Sequence, residues 1–136
     1  MKQVFIIILF YSIFSNNIHS QDNYIGLGRS DIIKKMKNEK PDFIQQKVIN
    51  KSYNYLKYMD TMGERTILIF FSDDNRCTQV KLMSHYVHLG STIDSLNKEY
   101  EKIDKHQWKY TVDNEDILVK LDKGEWFFTI ITKKME

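Results

Sequence analysis

The sequence predicts an α+β domain: an antiparallel sheet with two helices on one face, in the order helix, three strands, helix, three strands. Three observations predict it. Two stretches carry apolar residues at helical spacing behind a helix-start signal. Around them lie runs rich in aromatic and β-branched residues, separated by Asp, Asn and Gly turns. Aromatic residues make up 13% of the chain against a single proline, a composition that favours a folded domain over a disordered tail.

The elements follow in order. Lys2 precedes an apolar run from Val4 to Phe14, and a polar tail ends at Ser20. This is the pattern of a secretory signal peptide over 1–20, with 21–136 as a single α+β domain. The run is shorter than the roughly 20 apolar residues that a bilayer span needs. No cysteine follows the cut at Gln21 to accept a lipid. The expected protein is exported, periplasmic or secreted, with no stable membrane anchor after cleavage. Mass spectrometry of exported protein should then find a chain beginning near Gln21, and an intact Met1 would count against export.

Gly28 stands at the N-cap of the first helix, with Asp31 in the first turn facing the positive helix end. Leu27 and Ile32 form a hydrophobic staple, Ile32, Ile33 and Met36 the apolar stripe, and Pro41 the stop. Residues 43–50 read as an irregular strand or a loop. Strands follow over 53–60, 65–72 and 77–86, turned by Thr61-Met62-Gly63 and Asp73-Asp74-Asn75-Arg76. Ser91-Thr92-Ile93-Asp94 opens the second helix, whose stripe runs Ile93, Leu96, Tyr100, Ile103. Three more strands span 108–112, 117–121 and 126–132. The halves 25–88 and 89–136 share Lys57-Tyr58 with Lys109-Tyr110, and Ile67-Leu68-Ile69 with Ile117-Leu118-Val119, a pattern open to reading as weak duplication.

The opening Ile25-x-Leu27-Gly28-x-x-Asp31-Ile32 of an exported chain resembles the β-lactamase-inhibitor-like group of small exported α/β proteins, which includes outer-membrane assembly lipoproteins. Gly28 stands where that group usually has a hydroxyl, and the lipid-accepting cysteine is missing. The resemblance implies an α-β-β unit, sometimes in tandem, and protein binding rather than catalysis.

No residue set points to a cofactor, a metal or a catalytic centre. His85 and His88 are three apart, so along a strand they point to opposite faces. Cys77, the sole cysteine, forms no disulfide within a monomer and reads as a buried thiol. Along one extended strand it lies roughly 26 Å from His85. The acidic turns 73–75 and 113–116 lack the alternating ligands and central glycine of a calcium loop. The formal net charge of +2 leaves no electrostatic footprint for nucleic acid.

The positive sign of function is aromatic. Tyr53 and Tyr55 share one face of their strand with Lys57 and Met59, and Trp126 and Phe128 share one face of theirs. Helices cover only one side of a sheet, so a second apolar row calls for another cover. Tyr53, Tyr55, Trp126 and Phe128 are therefore the candidate binding residues, the alternative being that they fill the core. The expected function is an exported, non-enzymatic binding or envelope-accessory module for a protein or peptide. The alternatives are a small exported hydrolase with a site assembled from distant residues, and a homodimeric structural protein.

Overall fold

The computed structural model describes residues 23–49 and 52–136, so the expected signal peptide lies outside the described residues. Each half of the chain supplies one helix and four strands: α1 (Arg29–Glu39), β1 (Phe43–Gln46), β2 (Tyr55–Asp60), β3 (Arg65–Phe71) and β4 (Cys77–His85), then α2 (Leu89–Glu99), β5 (Glu101–Asp104), β6 (Gln107–Val112), β7 (Glu115–Lys123) and β8 (Phe127–Lys134). The strands form one sheet in the order β1-β2-β3-β4-β8-β7-β6-β5, antiparallel throughout. The halves meet where β8, the last strand in sequence, pairs with β4 over Gln79↔Lys133 to His85↔Phe127.

This corrects the expected class. The protein is predominantly β, an eight-stranded antiparallel sheet with two 11-residue helices, and each helix is followed by four strands rather than three. The added strands are the edges, β1 and β5, each of four residues. β5 takes over the end of the expected second helix. That helix stops at Glu99, Tyr100 turns extended (φ −124°, ψ 158°), and Ile103 lies in the strand. The second helix also starts earlier than expected, after a 3₁₀ turn at Tyr86–His88, with Gly90 inside it. Its Ser91 and Thr92 hydroxyls donate back to the His88 carbonyl (3.1 and 2.7 Å) instead of capping a helix start at residue 91.

The turns follow from residue chemistry. Val112 pairs with Glu115 across Asp113 and Asn114, whose φ angles are 51° and 63°. Two successive left-handed residues make the type I′ hairpin that Asp and Asn tolerate, which is why this acidic stretch exists. Asn75 (φ 58°) serves the β3–β4 turn in the same way, and Gly63 (φ 71°) the β2–β3 turn.

The core lies on the helix-covered face, in two clusters. Ile32 and Met36 of α1 pack on Leu56, Tyr58, Ile67 and Ile69; Leu96 of α2 packs on Trp108, Val119, Leu121, Phe128 and Ile130. Leu82 and Tyr110 touch both. Edge strands lacking a buried row explain their invisibility to pattern: β5 is exposed at every position. Both edges are short, and β5 is charged as well, features that discourage pairing with other chains.

Candidate functional site

Alternation along the strands leaves a second face that no helix of the described residues covers. Its geometry comes from the register. Gln46, Lys57, Leu68, Lys81, Ile131, Lys120 and Gln107 stand side by side across seven strands. One row over lie Tyr55, Phe70, Gln79, Lys133, Leu118 and Lys109. With strands about 4.8 Å apart, Lys57, Lys81 and Lys120 recur roughly every 10 Å along the central row, with Leu68 and Ile131 between them.

A shallow groove opens at the β2–β4 end of this face, lined by Tyr53, Tyr55, Lys57, Leu68, Phe70 and Met83. The Tyr55 and Phe70 rings lie 5.7 Å apart, and the Lys81 ammonium sits 5.6 Å from the Phe70 centroid. Lysine stems of this kind cover apolar surface while their charges remain in water. Among the described residues, ion pairing on this face lies at the other end, where Lys120 meets Asp122 (3.4 Å) and Lys109 meets Glu101 (3.9 Å). Lys57, Lys81 and Lys133 make no ion pair among the described residues.

The candidate residues divide. Tyr53 (64% exposed) and Tyr55 both line the groove. Trp126 is 79% exposed but precedes β8 in its hairpin turn, away from them. Phe128 is fully buried beneath α2, so its expected role at a binding surface is corrected to a core role. Its neighbour Phe127 (42% exposed) takes the open face, opposite His85. Parity pairs Phe128 with the right strand neighbours, but only strand order tells which side the helices take. The lysine row went unseen for the same reason, since its members come from three separate strands.

The catalytic candidates lie apart. Cys77 is 2% exposed at one end of β4, and burial pushes its thiol up to about 12, so it stays protonated at neutral pH. His85 occupies the other end of β4, and His88 bonds Glu64 at 2.7 Å. Among the described residues no group of three or more His, Cys, Asp or Glu side chains converges as a metal site. Comparison with family models, curated proteins and solved structures yields no match.

A second concavity lies on the helix-covered face. Its floor is Ile67, Val80, Leu82, Val119, Ile130 and Thr132; one wall is α2, and the other comprises Tyr24 and Lys40, which flank α1. Its volume is about 310 Å³.

Proposed function

We propose that this chain is an exported, non-enzymatic binding module whose open sheet face docks an acidic segment of another protein. The observation that carries the reading is the cross-strand row of Lys57, Leu68, Lys81, Ile131 and Lys120 beside the Tyr55–Phe70 pair. An extended segment with alternating acidic and apolar side chains would match such a row, its charges meeting the lysines and its apolar groups meeting Leu68 and Ile131. Tyrosine anchors at the groove supply contact area at small entropic cost. A second copy of the chain is a poorer occupant, because apposing two such faces brings lysines together.

The test uses a fluorescein-labelled peptide of alternating glutamate and leucine. The protein should bind it with an affinity that falls as salt rises. Lys57→Glu combined with Lys81→Glu should weaken binding by about tenfold or more. Tyr55→Ala should weaken it by about 2 kcal/mol. All these positions lie outside the buried core, so urea midpoints should remain near the parent's. Equal binding by the charge-reversed protein would sink the proposal.

A further inference from the structure

We infer that the cleft beside α2 is a binding site for a small amphipathic carboxylate, its chain lying on the sheet floor and its head group at the Lys40–Arg65 end. The first observation is an inversion of burial. β4 and β8 are the central strands of the sheet, where cover by the helices should be most complete. Yet Val80, Leu82 and Thr132 there are only half-buried, whereas Leu56, Tyr58 and Ile69 to one side and Val119 and Leu121 to the other are buried. The two helices each cover one cluster and leave the middle open. Protein interiors pack to crystal density, so the half-open strip of Val80, Leu82 and Thr132 between two full clusters is a place for another molecule. At about 310 Å³ it stands at the lower end of the range of small-molecule sites.

The second observation is charge. Among the described residues no aspartate or glutamate lines the cleft, and the two charged lining residues are Lys40 and Arg65. Both lie against the same ring: the Lys40 ammonium is 6.0 Å and the Arg65 guanidinium 5.2 Å from the Phe43 centroid. The positive charge is therefore gathered at one end. Asp60 engages Arg65 through Nε (3.1 Å), which leaves the terminal nitrogens of the guanidinium as the edge that could present two parallel donors to a carboxylate. An apolar floor with cations at one end selects a ligand with an acyl chain and one anionic end. A cationic amphiphile would meet the like charges of Lys40 and Arg65 there.

Calorimetric titration of the mature chain with decanoate, decanol and decyltrimethylammonium tests this. Decanoate should bind at least tenfold more tightly than either of the others. Lys40→Glu should weaken decanoate at least tenfold, and Ser95→Trp, from an exposed position on the α2 wall, should occlude the cleft and abolish binding. Urea melts of both variants report folding, and if Ser95→Trp fails to fold, Ser91→Phe serves as the blocking variant. The inference is overturned if decanoate gives no saturable heat, if the cationic amphiphile binds equally well, or if the folded blocking variant keeps the parent affinity.

Discussion

Phe128→Ala and Trp108→Ala should each cost about 3–5 kcal/mol of folding free energy, a large part of what a domain of this size has. Both rings are fully buried in the α2 cluster. Trp108 also holds the helix to the sheet, its indole N–H donating to Asn97 Oδ1 at 2.9 Å. Trp108→Phe keeps most of the apolar volume and loses that bond to an exposed asparagine, so it should cost much less than Trp108→Ala. Urea melts separate the cases. A Phe128→Ala protein within about 1 kcal/mol of the parent would contradict the placement of that ring in the core.

Asp60→Ala should cost about 3 kcal/mol, and the Asp60 carboxylate should make stability fall in acid. Asp60 is one of two buried polar residues in the described core. Its Oδ1 accepts from the Glu64 and Arg65 backbone N–H groups (2.8 and 3.1 Å), and its Oδ2 from Arg65 Nε (3.1 Å). It thereby ties the β2–β3 turn, where Gly63 N–H donates to the Asp60 carbonyl (3.1 Å). Burial on its own raises the carboxyl pKa. The backbone and side-chain bonds from Arg65, the Glu64 N–H and the Arg65 charge outweigh it and hold the pKa below the ordinary 3.8. A lowered folded value means that the contribution is present above the unfolded pKa and is lost as pH falls through the folded one. The parent should therefore lose stability below about pH 4, and Asp60→Asn should flatten that limb. Parallel acid limbs in the two proteins would rule the linkage out.

Legibility from sequence divides along a physical line. Local chemistry was readable: Gly28, Asp31 and Pro41 bound α1 within a residue, and alternation located the six longer strands. The edge strands were not. β5 has no buried row to produce alternation, and Tyr100 and Ile103 continue the spacing of Ile93 and Leu96 past the point where the backbone leaves the helix. Tyr53 and Tyr55 line one groove, a neighbourhood that local parity suggests; Phe128 was misplaced because its side of the sheet depends on which strands flank β8. Lys57, Lys81 and Lys120 are far apart in sequence, so only lateral register unites them. Lys40 and Arg65 are also distant in sequence and meet at Phe43 only through tertiary folding, from the C-cap of α1 and from β3.

The position of β8 has a consequence in time. A chain made from its N-terminus has all of α1 to β4 available before Phe127–Lys134 exists. Until then the border of β4 from Gln79 to His85, carrying Val80 and Leu82, has no strand beside it, and β7 lacks the same neighbour. The half-made protein is thus at its most adhesive just before completion, and the final strand acts as a zip between two waiting halves. A nonsense change that removes only the last dozen residues would leave both borders bare, so loss of a short tail should send the protein into aggregates rather than merely soften it.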